Sequence, residues 1–204
     1  MSEFDLQART WDADAAKVER ARKVAEAILA ELGPTSVDRA LEYGCGTGLL
    51  GFALWPNLGH VTLADTSQGM LAVLREKIAA AGATNMTALE LDLTAGPGPD
   101  LPFDLVCTLM VLHHIPDIDG ILARFRELLT PGGRLCIADL DREDGSFHGA
   151  GAQVHPGFDR KDLAGRLVRA GFKAIRFRTP FVIRKTTETG PREYPVFLVT
   201  AERA

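Results

Sequence analysis

A doubly wound α/β domain on a mostly parallel sheet is what this amino-acid order predicts, and three observations carry the prediction. Short apolar runs alternate with helical-period segments along most of the chain. The first run, Ala40-Leu41-Glu42-Tyr43, breaks into glycines at 44, 46 and 48 before a helical pattern opens at Leu49, which reads as strand, tight turn, helix. The last two runs, Phe172 to Val182 and Tyr194 to Ala201, have no helix between them. They should pair as an antiparallel hairpin and give the sheet a mixed edge. A chain of 204 residues suits one domain with a sizeable core.

Each element has a local reason. Val18, Ala21, Ala25, Ile28 and Leu32 form one stripe at helical spacing, capped by Asp12 or Asp14 and stopped at Gly33-Pro34. Residues 1–34 are thus expected to be an amino-terminal lid segment plus helix, and 35–204 the body of a single domain. Phe4 to Trp11 has no clear period, and Trp11 is either a packing anchor or a cover over a ligand. Strands are expected at Val37–Tyr43, His60–Ala64, Met86–Leu91, Phe103–Leu109 and Arg134–Ala138. The intervening helices are Gly48–Trp55, a segment capped by Ser67 and closed by Gly82, and Ile118–Leu129. Asp139 to Phe158 is polar and glycine-rich, a loop of the length that tends to carry function. Asp159 caps the helix Arg160–Ala170.

Composition excludes several classes. A hydrophobic share of 46% and a charged share of 25% argue against disorder. No apolar run approaches the roughly 18 residues that span a bilayer, and Met1-Ser2-Glu3-Phe4-Asp5 has no export-signal character. A cytoplasmic location and no membrane partner are therefore expected. Three cysteines without C-x-x-C spacing argue against disulfides and zinc knuckles. A net charge of −4 gives no general attraction to nucleic acid.

In an open parallel sheet the ligand lies outside the strands' carboxyl ends, and every such end is marked here. The first ends in Gly44–Gly48, where glycine lets a ligand reach the backbone and free N–H groups favour its acceptor groups. The second ends in Asp65, at the separation from Gly44 where a carboxylate can accept from both hydroxyls of a ribose. The third ends in Asp92-Leu93, the fourth in Leu109 to His114 and the fifth in Asp139. A dinucleotide dehydrogenase would place its third glycine three positions after the second rather than two.

Glu42-Tyr43-Gly44-Cys45-Gly46-Thr47-Gly48, Ala64-Asp65-Thr66-Ser67, Leu91-Asp92-Leu93, Phe103-Asp104-Leu105-Val106 and Leu129-Thr130-Pro131-Gly132-Gly133-Arg134-Leu135 resemble, in order and spacing, the motifs of class I S-adenosylmethionine-dependent methyltransferases. The resemblance covers roughly residues 35–204. It implies a seven-stranded sheet with an antiparallel last strand, S-adenosyl-L-methionine as cofactor and S-adenosyl-L-homocysteine as product. Gly44 and Gly46, with Cys45 between them, would meet the methionine portion, Glu42 would support that loop, and Asp65 would take the ribose. Met70, Asp92 and Leu93 would lie at the adenine, with Leu109 and Trp11 completing the cofactor contacts. Tyr43 replaces the aliphatic residue common after the acid.

The acceptor is expected to be a small molecule, since no Asn-Pro-Pro-aromatic sequence follows the fourth strand. The rivals are a non-catalytic binder of the same cofactor and a protein or RNA methyltransferase. Positioning supplies most of the rate, and a general base matters for a hydroxyl or protonated amine. His114, His148 and His155 are the candidates. Asp139 and Asp141 hint at magnesium, but no further ligands are evident and no metal is expected.

Overall fold

The computed structural model describes residues 2–149, 153–187 and 190–204. The segment 150–152, inside the expected 139–158 loop, lies outside the described residues. The strands are β1 (Arg39–Tyr43), β2 (His60–Asp65), β3 (Met86–Glu90), β4 (Phe103–Leu109), β5 (Leu129–Leu140), β6 (Phe172–Thr187) and β7 (Gly190–Arg203). The helices are α1 (Glu3–Gln7), α2 (Ala15–Leu32), α3 (Leu49–Leu54), α4 (Gln68–Ala81), α5 (Ile118–Leu128) and α6 (Arg160–Arg169).

All seven strands form one sheet in the order β3-β2-β1-β4-β5-β7-β6. The winding reverses between β1 and β4, which pair in parallel, as do β2 with β1, β3 with β2 and β5 with β4. β7 alone runs against its neighbours, inserted between β5 and the edge strand β6. Burial explains that order. Val196 to Ala201 is buried without a break, as a strand covered on both faces must be, while β6 carries Lys173, Arg176 and Arg178 outward, the charged dressing of an edge.

Helices cover both faces. α5 and α6 pack on Leu41, Tyr43, Leu135 and Ile137. α2 and α3 pack on Ala40, Leu105, Cys107 and Ala138, and α4 packs on Val61 and Leu63 of the same face. Ser67 accepts from the Met70 N–H to start α4, and Gly82 ends it in the left-handed region. Asp14, not Asp12, caps α2, accepting from Ala16 and Lys17.

Three expectations are adjusted. Residues 4–11 are ordered, as α1 and a 3-10 stretch over Ala8–Ala13; a run too short to show periodicity is helical because it is tied to α4. The fifth strand begins at Leu129 and extends to Leu140, so Asp139 belongs to the sheet rather than to the loop. The loop is also pinned: Asp141 bridges to Phe158, and Arg160 grips the Asp141 carboxylate through two hydrogen bonds of 2.7 Å.

Candidate active site

A cavity of about 1090 Å³ opens at the carboxyl ends of the strands, where the winding reverses. One half is built by the β1 turn. Gly44 has φ +70°, and a Cβ there would stand 2.4 Å from the Val111 side chain, so both backbone and packing demand glycine. Gly46, at φ +55°, is different: a Cβ would have only Trp11 Nε1 at 3.8 Å and the Met70 sulfur at 3.9 Å near it. Glycine there leaves open a floor under Trp11 and Met70. Asp65, at the end of β2, binds the turn to α4 by accepting from Gly46 N–H at 2.7 Å and Ser67 N–H at 2.8 Å.

Glu42 is buried on the cavity wall. Burial pushes its carboxyl up to about 8, only partly offset by the Gly51 N–H and Lys77, and the Asp65 charge adds to the rise. Among the described residues its Oε2 has no hydrogen-bond partner. A cationic ligand end would supply what that oxygen lacks.

The far half is built by several elements. Phe4 and Trp11 come from the amino-terminal segment, Lys17 and Arg20 from α2, Met110, Val111, His113 and His114 from beyond β4, Phe147 and His148 from the long loop, and Ile183 and Lys185 from β6. Met110 holds φ 58° although it is not glycine, a backbone state more often met at functional sites. His113 is buried, with Nδ1 2.7 Å from Asp139 Oδ1. Asp139 also accepts from the His113 and Leu140 N–H groups. A carboxylate accepts the Nδ1 proton, leaving Nε2 with the lone pair.

A protein-family profile described as a methyltransferase domain matches residues 41–135. An uncharacterized methyltransferase of Schizosaccharomyces pombe is 35% identical over 57% of this chain and 42% of its own length. A ubiquinone biosynthesis O-methyltransferase of Xylella fastidiosa is 34% identical over 56% of this chain and 46% of its own. The chain thus spans less than half the length of these two relatives. A solved S-adenosylmethionine-dependent methyltransferase of Aquifex aeolicus superposes with a TM-score of 0.70 at 19% identity, covering 98% of each chain. The chain carries a methyltransferase-domain match over residues 41–135 and has the fold of the class I S-adenosylmethionine-dependent methyltransferases.

The glycine turn and the acids at the strand ends form one half of the cavity, a donor set that would suit the cofactor. Glu42, Gly44, Cys45, Gly46, Asp65, Met70, Asp92, Leu109 and Trp11 all line the cavity. Asp92 is held below its usual range mainly by the Thr94 hydroxyl. Leu93 does not line the cavity: it is 2% exposed in the core, and its N–H donates to the Tyr43 hydroxyl at 3.3 Å. Leu91 and Thr94 line the cavity on either side of it. The atypical tyrosine after Glu42 therefore positions the third strand's end.

Of the histidines expected to be catalytic, His114 and His148 reach the cavity and His155 does not. His155 ties its loop to Ile115 O at 3.0 Å and packs against Phe158. Burial, with His113 and His148 beside it, lowers His114 to about 4, and burial likewise lowers His148. His113 was missed in the sequence. Its signal was available: Leu109 pairs with Ala138, so His113, shortly past the end of β4, and Asp139, near the end of β5, share one end of the sheet.

Nitrogens of His113, His114 and His148 lie within 4.8 Å of one another. An ion shared by all three imidazoles at about 2.0–2.1 Å would hold their nitrogens roughly 3–3.5 Å apart, and Lys185 opposes further positive charge at His148.

Proposed function

We propose that this chain transfers a methyl group to a small-molecule acceptor, with His113 as general base. The observation that carries the reading is one cavity lined both by the glycine turn with Glu42 and Asp65 and by His113, whose Nδ1 lies 2.7 Å from the buried Asp139 carboxylate behind it. At about 1090 Å³ it reaches the upper end of small-molecule sites, room for cofactor and acceptor together. A cover of α1, Trp11 and the 143–148 loop suits a small acceptor better than a polymer. The name of the Xylella fastidiosa relative points the same way.

When bound, S-adenosylmethionine supplies a methyl group on a sulfonium leaving group. Glu42, Gly44, Gly46 and Asp65 would hold it, with Met70 and Asp92 at the base. His113 Nε2 takes the acceptor's proton as the acceptor lone pair forms its new bond to carbon. Asp139 keeps the ring in that tautomer and stabilises the resulting imidazolium, a contribution of about 10²–10⁴-fold. His114, held neutral well below pH 7, is the poorer base. No resident metal takes part in this reading, so chelator-treated protein should retain full activity.

The test uses tritiated methyl donor with panels of small phenols, thiols, amines and acids beside RNA and protein. Label should enter a small molecule. Incorporation only into RNA or protein would reject the acceptor class, and failure to bind either S-adenosylmethionine or S-adenosylhomocysteine would reject the reading as a whole.

A further inference from the structure

We propose that the acceptor half of the cavity is an anion subsite, in which Lys17, Arg20 and Lys185 hold a carboxylate or phosphate on the methyl acceptor. The inference rests on the methyltransferase reading and names the chemical class of its acceptor.

Lys17 and Arg20 lie three residues apart on one face of α2, and Lys185 projects from β6; all three line the cavity beside Phe147 and His148. Arg20 Nε is buried and has no hydrogen-bond partner among the described residues. A guanidinium on the cavity wall with an unpaired Nε–H lacks an anionic partner, and its fork matches a carboxylate or phosphate. The Lys17 ammonium sits 3.4 Å from the Trp11 ring centroid, and Lys185 sits 3.9 Å from that of Phe147 while donating to Phe147 O at 2.9 Å. Aromatic faces hold both ammonium groups in place without neutralising them.

The nearby carboxylates offset these charges only in part. Asp14 also lines the cavity, but its Oδ1 caps α2 and its Oδ2 lies 3.9 Å from Lys17, at the edge of ion-pair range. Asp139 is bound by His113 and Leu140, and Glu143 accepts from the Phe147 N–H; neither lines the cavity. The cations raise one another's cost as well: besides burial, Arg20 opposes the charge on both Lys17 and Lys185. Confined like charges persist where a ligand of opposite sign completes them. The alternative is that Arg20 and Lys17 only pack their aliphatic stems, in which case anions would ignore them.

The experiment is calorimetry on protein saturated with S-adenosylhomocysteine, titrated separately with inorganic phosphate and with benzoate. At least one should bind saturably with one site, and the tighter of the two names the acceptor's group. Arg20→Gln and Lys185→Met should each weaken that binding tenfold or more, with S-adenosylhomocysteine affinity changed less than twofold. Lys185 is half-exposed, so its variant stays informative if Arg20→Gln lowers stability. Binding of neither anion, or equal binding in both variants, would overturn the subsite while leaving the cofactor site intact. Loss of S-adenosylhomocysteine binding in the parent would instead remove the methyltransferase reading, and the subsite with it.

Discussion

Glu42 illustrates how one buried acid ties stability to pH. Its folded carboxyl holds a proton up to about 8, against an ordinary value of 4.5. The native chain therefore binds more protons than the unfolded chain between those values. The stabilisation is complete below about pH 4.5 and is lost as pH rises towards 8, with a slope of at most about 1.4 kcal/mol per pH unit. Urea unfolding of the ligand-free protein from pH 5 to 8 should show that decline, and Glu42→Gln should flatten it; an unchanged slope in the variant would assign the dependence to another group. Asp65 would carry two duties in a cofactor site. If it holds the ribose, Asp65→Ala should weaken cofactor binding by about 2–4 kcal/mol. Because Gly46 and Ser67 also donate to it, the ligand-free protein should lose about 1–3 kcal/mol as well, more than the loss of a simple cap. A variant that bound S-adenosylhomocysteine like the parent would take Asp65 out of the cofactor site. For the base, His113→Gln and Asp139→Asn should lower kcat about 10²–10⁴-fold and leave S-adenosylhomocysteine binding within threefold. A loss confined to KM would make the pair a structural tie.

Among the elements, α1 and the 3-10 stretch after it form a clamp on α4. Asp5 accepts from the Ser67 hydroxyl at 2.6 Å and the Gly69 N–H at 2.9 Å, and those bonds hold its carboxyl well below the usual range. Asp12 takes Lys77 Nζ at 2.6 Å and the Thr47 hydroxyl, which joins the clamp to the glycine turn. Phe4 sets its ring edge-on to His114. The segment is thus tied to both halves of the cavity. Asp5→Ala should speed amide exchange across residues 3–13 and weaken cofactor binding, while α2 keeps its protection. Acid should act in the same direction: the depressed Asp5 carboxyl contributes its hold above its ordinary 3.8 and loses it as pH falls below that value. Equal exchange in the variant and the parent would show that Asp12 and packing suffice.

Across the whole molecule, the sheet keeps its thiols apart from chemistry. Cys107 and Cys136 are register partners on β4 and β5, each 1% exposed, and Cys45, within the glycine turn on the cavity wall, is 6% exposed. Burial pushes Cys136 up to about 12 and raises the other two thiols as well. Native protein should therefore resist a thiol-reactive dye that labels all three cysteines in denaturant, and its melting temperature should not change with reductant. Rapid native labelling would mean that the sheet opens locally near β1. Among the described residues, no helix is long and apolar enough to cross a membrane.

The amino-acid order by itself determined the strand and helix sequence, the Ser67 and Gly82 boundaries of α4, the antiparallel hairpin and the acids at the strand ends. These are legible because they depend on residues close in sequence: a period of two or of 3.6, a capping side chain, a glycine after a strand. The tertiary structure decided what depends on residues far apart. It joined Asp139 to His113, and it set β7 inside the sheet and β6 at its edge, which carries Lys185 over the cavity opposite Arg20. It also turned Leu93 inward through Tyr43 and used His155 as a loop tie. Asp5 reads locally as a helix-start acid, yet its partners are Ser67 and Gly69, because packing sets α1 against the start of α4. No local pattern encodes such pairings, since each is fixed by how the sheet's two faces are covered.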